Sequence, residues 1–315
     1  MASAKPDFAL PPQTVLHARY LLGDTLGGGA LGITYRAVQL DAPARGRVVA
    51  VKEFFPRALA VRAADGSVQP MPKGAADFAL HCAQFVHGYR VLRAKANCPA
   101  LVPLLDLFEQ NGTAYVVMAY IEGETLAQRV KAHGAIPPRA LMRMMRPFLH
   151  DLAALHQRKI IHRAIMPRNI LLRGENPPIL LDFGGARPED DWPLRRCPVL
   201  RGRGYLPPEQ ICQSRQGSWT DVYALCATMY YALTAKEPAD ALERLFAAKT
   251  GKDEPLVPIR TLCPKLPRKQ ADALMAGLSL DSAARPADFA ALESALYGSK
   301  IPHFAFRIPN WCARK

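Results

Sequence analysis

A glycine-rich segment near the amino terminus has the composition and spacing of a phosphate-binding loop. It reads LGGGALGITY and places Gly27, Gly29 and Gly32 in a GxGxxG pattern. Glycine lets the backbone approach a ligand closely, although ordinary glycine turns give the same pattern. Because residues 33–39 have strand character, we expect a hairpin flap over phosphates and not the strand-to-helix turn of a dinucleotide site.

A lysine ends the apolar strand that follows. Residues 49–52 read VAVK. Burying an ammonium group costs free energy unless the group meets an anion. The alternative is an edge-strand lysine that points to solvent, but the preceding glycine flap favours a phosphate partner for Lys52.

Two oxygen-bearing side chains follow later in the chain. Asp182 stands between a predicted strand at 178–181 and Phe183-Gly184, and Asn169 precedes an Ile-Leu-Leu run. Carboxylate and amide oxygens suit Mg²⁺, a hard cation. An aspartate before a glycine can also simply start a turn.

The segment HRAIMPRN, residues 162–169, has the outline of a catalytic loop without its reactive groups. Ala164 stands where a carboxylate would act, Met166 where a lysine would act, and Arg168 adds a positive charge. Alanine and methionine can neither accept a proton nor neutralise a phosphate. The loop is therefore damaged, reassigned, or an ordinary turn.

The composition excludes several classes of protein. Half of the 315 residues are hydrophobic, which is enough for a large core or two lobes. There is no apolar run of the roughly 18 residues that span a bilayer, and no signal-peptide core, so we expect a cytoplasmic protein without membrane association. The seven cysteines are scattered without a CxxC pair, which disfavours disulfides and zinc.

The formal net charge of +14 suggests an anionic partner. The basic residues are dispersed, without a lysine-rich tail or interleaved aromatic residues, which makes nucleic acid an unlikely ligand. We expect a protein partner instead, acidic or phosphorylated.

The pattern of apolar residues changes along the chain. Strand patterns at 32–39, 47–53 and 113–120 surround one helix candidate at 77–97, and helix candidates at 139–159, 219–233 and 285–297 follow. The last of these has Pro286 near its predicted start, as helix entry allows. We divide the chain into an arm (1–18), a small β-rich lobe (19–117), a hinge (118–124), a larger α-helical lobe (125–299) and an aromatic tail (300–315).

Taken in order, these motifs resemble a protein kinase of the eukaryotic-like serine/threonine type found in bacteria. The ordered set is the glycine loop, Lys52, the His-Arg loop with Asn169, Asp182-Phe-Gly, and Pro207-Pro208-Glu209. The phrases GITYRA, VKEFFP, IEGETL and TDVYALCAT also look like that group. The resemblance covers about residues 15–297 and implies an α+β fold of two lobes with ATP between them.

The resemblance also implies roles for individual residues. Asn169 and Asp182 would hold Mg²⁺, Glu209 would pair with Arg285, and Asp221 would anchor the helix beneath the catalytic loop. The implied nucleotide-binding positions are Gly27, Gly29, Gly32, Ala50, Lys52, the gatekeeper Met118, Ala119, Ile121, Glu124 and Leu171.

Several departures from the family pattern concern catalysis and its regulation. The catalytic aspartate is Ala164, the loop lysine is Met166, and Arg168 replaces an acidic residue. The glutamate that pairs with the strand lysine aligns with Gly88, and no Asp or Glu occurs between residues 78 and 105. Residues 185–209 contain no Ser or Thr and offer only the hydroxyl of Tyr205, so Ser/Thr phosphorylation of this loop cannot activate the protein. The loop carries five arginines instead.

The leading hypothesis is therefore a pseudokinase, a scaffold or switch for a protein partner that binds ATP weakly to moderately. Intact Lys52, Asn169 and Asp182 leave open a slow or unconventional transfer of a phosphoryl or nucleotidyl group. A basic nucleic-acid-binding module is the third alternative.

Overall fold

A computed structural model describes residues 8–29, 31–41, 46–95, 98–182, 185–189 and 202–298. The first part of the chain forms a six-stranded antiparallel sheet with the strand order β1-β2-β3-β4-β8-β7. Its strands are β1 (Val15–Leu16), β2 (Tyr20–Gly28), β3 (Gly32–Gln39), β4 (Arg47–Phe54), β7 (Leu104–Gln110) and β8 (Thr113–Ala119). A short hairpin of β5 (Ala60–Arg62) and β6 (Val68–Pro70) follows β4.

The strand predictions at 32–39, 47–53 and 113–120 correspond to β3, β4 and β8, and their bounds differ by at most one residue. Strand β4 pairs with β3 on one side and β8 on the other, so Lys52 lies opposite Thr34 and Val116. Since successive side chains of a strand point to opposite faces, Lys52 and Glu53 are directed to different sides of the sheet.

One long helix, α1 (Ala75–Lys95), packs on this sheet. Phe78 and Phe85 meet the ring of Phe54 with centroid distances of 5.4 and 5.3 Å. The predicted helix at 77–97 is confirmed through residue 95; residues 96 and 97 lie outside the described part of the chain. This contact orients the face of α1 that borders Lys52.

The amino-terminal arm is part of the small lobe from Phe8 onward. Phe8 stacks on Phe55 at 5.5 Å, and Leu10 is only 3% exposed. The Leu10 N–H donates to the Tyr35 hydroxyl at 3.0 Å. The predicted arm at 1–18 thus packs on the small lobe from residue 8 onward. Residues 1–7 lie outside the described part of the chain.

The second part of the chain is mainly helical. The core of this lobe includes the apolar face of α3, where Leu141, Met145, Phe148 and Leu152 have no exposed surface. The described helices are α2 (Leu126–His133), α3 (Pro138–Gln157), α4 (Pro208–Ile211), α5 (Ser218–Thr234), α6 (Ala241–Thr250), α7 (Ile259–Leu262), α8 (Arg268–Gly277) and α9 (Phe289–Tyr297). The remaining strands are β9 (Glu124–Thr125), β10 (Ile160–Ile161), β11 (Ile170–Arg173), β12 (Asn176–Leu180) and β13 (Arg187–Pro188).

The predicted start of the last helix is wrong. Arg285 has extended backbone angles, and α9 begins at Phe289 after the N-cap Asp288, whose side chain accepts from the Ala291 N–H at 2.8 Å. An aspartate cap satisfies an N–H that would otherwise lack a partner, so it defines the helix start more strongly than Pro286 does.

The tail at 300–315 and its aromatic residues lie outside the described residues. Within the described ranges, no helix combines the length and apolar character needed to cross a membrane.

Candidate functional site

A cleft of about 620 Å³ separates the two lobes, and most of the predicted site residues line it. Glu124 is exposed and is not among the described lining residues, whereas its neighbour Thr125 is. Gly88 is also absent from the lining. The predicted residues that line the cleft are Gly27, Gly29, Gly32, Ala50, Lys52, Met118, Ala119, Ile121, Ala164, Met166, Arg168, Asn169, Leu171 and Asp182.

The three predicted flap glycines differ in how much space surrounds them. A Cβ atom on Gly32 would lie 2.1 Å from the carbonyl oxygen of Glu53, which is far inside contact distance. The same atom on Gly27 would meet nothing within 4 Å, and on Gly29 it would come no closer than 3.9 Å. Gly32 is therefore required by the pairing of β3 with β4, while Gly27 and Gly29 leave open space above the cleft.

Lys52 joins the two lobes by a direct ion pair with Asp182. The lysine is 9% exposed. Burial by itself would lower the pKa of Lys52, but the Asp182 carboxylate and the Tyr89 hydroxyl raise it above the ordinary value. Lys52 is thus a charged group inside the cleft, as its predicted role requires.

Tyr89 is the residue of α1 that contacts Lys52. Its hydroxyl raises the pKa of Lys52, and the tyrosine is 1% exposed. Gly88, the predicted degenerate position, is the buried chain neighbour of Tyr89 and has no side chain to offer Lys52. The group that α1 presents to Lys52 is thus a neutral hydroxyl, which does not neutralise the charge of the lysine.

A buried network occupies the opposite face of β4. Glu53 has no exposed surface and accepts hydrogen bonds from Arg62 at 2.7 and 2.6 Å. It also accepts from the hydroxyls of Tyr35 at 2.8 Å and Tyr115 at 2.9 Å. The only sequence signal of this network is a second charged residue directly after Lys52, which by itself did not predict it.

The segment that joins the lobes presents backbone atoms to the cleft. The Ala119 N–H donates to the Pro103 carbonyl at 2.9 Å. Because this N–H is already bonded, the carbonyl of Ala119 is the backbone group of this residue that can accept a hydrogen bond from an adenine amino group. Met118, Ala50 and Leu171 are nearly buried and form apolar walls on either side.

The catalytic-loop segment is held from below by Asp221. This buried carboxylate accepts from the backbone N–H groups of His162 and Arg163, each at 2.7 Å, and contacts His156 at 3.2 Å. Burial opposes ionisation of Asp221, but the hydrogen bonds with His156 and His162 lower its pKa. These bonds hold Arg163 at a φ of 65°, a conformation that few non-glycine residues adopt.

Within the loop, the replaced residues have defined contacts. The Asn169 side-chain amide donates to the Ala164 carbonyl at 2.7 Å, which leaves its oxygen for a metal. Met166 is 6% exposed and packs beside Gly202, near the end of the segment after Asp182. Arg168 is exposed, and its Nε contacts the Met166 sulfur at 2.9 Å.

The large lobe keeps the supporting contacts that the resemblance implied. Arg285 forms two hydrogen bonds to the Glu209 carboxylate, at 2.8 and 3.1 Å, and both side chains are nearly buried. Nε of Arg163 donates to the Gln216 side-chain oxygen at 2.6 Å. Phe183, Gly184 and residues 190–201, with most of the loop arginines, lie outside the described ranges.

The comparisons with known proteins agree with this geometry. A model of the protein kinase domain matches residues 20–272, most of the chain. The chain belongs to the protein kinase family. The expected α+β fold of two lobes is confirmed: a solved structure described as the PpkA-294 apo form superposes with a TM-score of 0.76 at 26% identity, covering 92% of this chain and 100% of that one.

Bacterial serine/threonine kinases are among the relatives of this kinase-family chain. Serine/threonine-protein kinase pkn2 of Myxococcus xanthus is 31% identical over 307 residues, or 94% of this chain and 34% of the relative. PknL of Mycobacterium tuberculosis is 30% identical over 230 residues, or 71% of this chain and 51% of the relative. The chain therefore spans about a third to a half of the length of these curated relatives.

Proteins of this family use ATP with Mg²⁺. The cleft fits a nucleotide, because it has an open glycine flap, a buried lysine and apolar walls. The oxygen atoms of Asn169 and Asp182 also suit Mg²⁺ in kind. Asp182 is the sole carboxylate among the described residues that line the cleft.

Proposed function

We propose that this kinase-family chain is catalytically impaired and acts as an ATP-binding scaffold or conformational switch for a protein partner. One observation carries the proposal. Of the described residues around the cleft, only Asp182 bears a carboxylate, and Lys52 binds it. Ala164 presents a methyl group to the cleft at the position where kinases hold the proton-accepting aspartate.

The size of the expected defect follows from the missing proton acceptor. A positioned general base contributes about 10² to 10⁴ in rate. This corresponds to about 3–5 kcal/mol of activation free energy. The intact Glu209–Arg285 pair and the bonds of Asp221 support loss of chemistry without loss of fold.

ATP binding follows from the cleft residues. Ala50 and Leu171 would enclose the adenine, and Lys52 would contact phosphates beneath the glycine flap. Asn169 and Asp182 would hold Mg²⁺, which supplies charge neutralisation at the phosphates when bound.

A thermal-shift measurement tests nucleotide binding. ATP should raise the melting temperature of the wild-type protein, since a ligand that binds only the folded state stabilises it. Lys52→Ala should lose most of this shift, whereas the exposed Lys265→Ala should keep it. If ATP does not raise the melting temperature of the wild-type protein, only the part of the proposal that describes an ATP-independent scaffold remains.

Incubation with radiolabelled ATP and Mg²⁺ or Mn²⁺ tests the impairment. We expect no stoichiometric incorporation of phosphate. Robust autophosphorylation that Asp182→Ala abolishes would overturn the proposal.

A second candidate function is slow transfer of a phosphoryl or nucleotidyl group. It is favoured by the Lys52–Asp182 pair and by Asn169, which stands beside the cleft and is oriented by Ala164. Intact-mass spectrometry after incubation with ATP distinguishes the products, because a nucleotidyl group adds much more mass than a phosphate.

For the partner, the net charge of +14 supports an acidic or phosphorylated protein, and we place the interaction in the cytoplasm. Electrostatic attraction of this kind weakens with salt. Binding to immobilised acidic or phosphorylated peptides should therefore fall steeply as ionic strength rises.

A further inference from the structure

Glu53 is a buried carboxylate that the proposed function does not use. It follows Lys52 in β4, points to the opposite face of the sheet and has no exposed surface. Each of its two oxygens accepts one hydrogen bond from Arg62 and one from a tyrosine hydroxyl, that of Tyr35 or Tyr115. A carboxylate has about four acceptor sites, so these bonds fill them and fix the orientation of the group.

The amino-terminal arm completes this network. The backbone carbonyl of Phe8 accepts a hydrogen bond from Nε of Arg62 at 2.9 Å. The N–H of Leu10 donates to the Tyr35 hydroxyl at 3.0 Å, and that hydroxyl donates to Glu53. Two of the three side chains that hold the carboxylate are thus themselves held by the arm. Because the members of a buried hydrogen-bond network support one another, release of the arm would loosen Glu53.

The side chain of Phe8 fastens the arm to the small lobe. Its ring stacks on Phe55 at 5.5 Å, and the guanidinium group of Arg57 lies 4.6 Å from the ring centroid. The guanidinium group of Arg62 lies 4.6 Å from the centroid of Phe55 in turn. Phe8 is only half-buried, so truncation of its side chain would weaken the docking of the arm without opening the core.

Glu53 borders both elements that we expect to contact phosphates. Lys52 is its neighbour in β4, so a displacement of the Glu53 backbone carries the lysine with it. The Glu53 carbonyl oxygen lies so close to Gly32 that a Cβ atom there would be 2.1 Å away. Two residues further along the chain, the N–H of Phe55 donates to the Leu31 carbonyl at 2.9 Å. Leu31 and Gly32 both line the cleft at the end of the glycine flap.

The other restraint on the strand lysine is weaker in this chain than in the kinase pattern. A kinase pairs that lysine with a glutamate of the small-lobe helix. Here α1 has no acidic residue after Asp77. The hold that the Glu53 network has on β4 from its opposite face therefore matters more for the position of Lys52.

We propose that Glu53 is a positioning residue for Lys52 and the glycine flap, and that arm residues 8–10 complete its site, so that the docked arm favours binding of nucleotide phosphates. The inference rests on the proposed function, because it names the element that switches the affinity for ATP. The coupling is reciprocal by linkage: a bound nucleotide stabilises the docked arm as much as the arm stabilises the bound nucleotide.

Acylation of Lys52 tests the positioning role without a nucleotide. Full-length proteins are treated with acetic anhydride, and labelling of Lys52 is followed by peptide mass spectrometry. Phe8→Ala should be labelled about fivefold faster than wild type, because Lys52 separates from Asp182 more often, and a coupling between sites commonly has this size. Phe246→Ala is the matched control, since its ring also lies against a cation, Lys252 at 5.6 Å, but is 61% exposed on α6 of the other lobe. Equal labelling rates in all three proteins would overturn the inference.

Isothermal titration with ATP and with adenosine, both in Mg²⁺, tests the consequence for binding. Tyr35→Phe removes one hydroxyl from the network. Tyr20→Phe is its matched control, because it removes a hydroxyl that donates to a different carboxylate of the same lobe, Asp106, at 2.7 Å. Tyr35→Phe should weaken ATP binding about fivefold and adenosine binding less than about twofold, since adenosine has no phosphate. An equal loss for both ligands, or an equal loss of ATP affinity in Tyr20→Phe, would overturn the inference.

Hydrogen exchange gives the reciprocal measurement. Saturating ATP should slow exchange of the Leu10 N–H in wild type, because this amide bonds the Tyr35 hydroxyl of the network. An exchange rate that ATP does not change would contradict the coupling.

The remaining outcomes separate the inference from the proposed function. If wild type does not bind ATP but Phe8→Ala accelerates acylation of Lys52, the positioning role is supported and the nucleotide part of the proposed function fails. If wild type binds ATP and neither Phe8→Ala nor Tyr35→Phe changes its affinity, the inference is overturned and the ATP-binding scaffold remains.

Discussion

Restoring a carboxylate at position 164 should restore part of the phosphoryl-transfer rate. In the variant Ala164→Asp the new side chain would enter a cleft of about 620 Å³ that Ala164 already lines, so there is room for it. The Asn169 amide bonded to the Ala164 carbonyl at 2.7 Å keeps the loop backbone in place. Lys52 and Arg168 line the same cleft and would keep the new aspartate ionised.

The expected gain comes from the proton acceptor alone. Ala164→Asn has nearly the same shape but cannot accept the proton, so it is the matched control. Ala164→Asp should transfer phosphate about 10² to 10⁴ times faster than Ala164→Asn. The measurement is incorporation of labelled phosphate into the protein and a generic protein substrate, at equal concentrations of folded protein.

Equal rates in the two variants, with both folded and binding ATP, would refute the reasoning. The limiting defect would then lie elsewhere, for example in the restraint of Lys52 by Tyr89 in place of a carboxylate. If Ala164→Asp transfers phosphate rapidly only in combination with Met166→Lys, the larger share of the lost rate is due to the missing lysine.

Three further predictions concern the framework of the site. Gly32→Ala should destabilise the protein by about 1–3 kcal/mol through a clash with the Glu53 carbonyl, whereas Gly27→Ala should be near neutral in the same thermal unfolding assay. Arg62→Met should cost about 3–5 kcal/mol in urea unfolding because it leaves the fully buried Glu53 charge without its bidentate partner; a loss below about 1 kcal/mol would contradict this. Burial lowers the pKa of His162 from 6.5 to about 4, so protonation of this imidazole favours the unfolded chain. The stability that neutral His162 contributes is complete above pH 6.5 and falls by about 3 kcal/mol as the pH drops to 4. A His162→Phe variant should lack that part of the pH dependence, and identical pH profiles would rule the assignment out.

The charged residues of α1 and of the catalytic loop differ from those of the kinase pattern. A kinase pairs its strand lysine with a glutamate of the small-lobe helix and holds an aspartate in the catalytic loop. Here α1 has no acidic residue after Asp77, Ala164 stands in the catalytic loop, and Arg168 adds a positive charge. Under the proposed function, these replacements leave a site that holds an anion and does not move a proton.

Some features of the protein could be predicted from its amino-acid sequence alone. The order of the glycine loop, Lys52, Asn169 and Asp182 indicates the kinase fold, because each motif is a set of residue types that can be read directly from the chain. The apolar and β-branched runs in the sequence locate β3, β4 and β8 to within one residue of their observed bounds, because a strand pattern is also a local property of the chain. The loss of the carboxylate at Ala164 is likewise a property of a single position.

Other features depend on packing between distant parts of the chain. Lys52 and Asp182 are 130 positions apart, and only the closure of the two lobes brings them into contact. The aromatic contacts of α1 with the sheet orient this helix so that Tyr89 lies near Lys52. The sequence by itself thus determined which chemical groups exist and which are missing. The tertiary structure decided which of them face each other, because side-chain direction and burial are set by long-range packing and not by the local pattern.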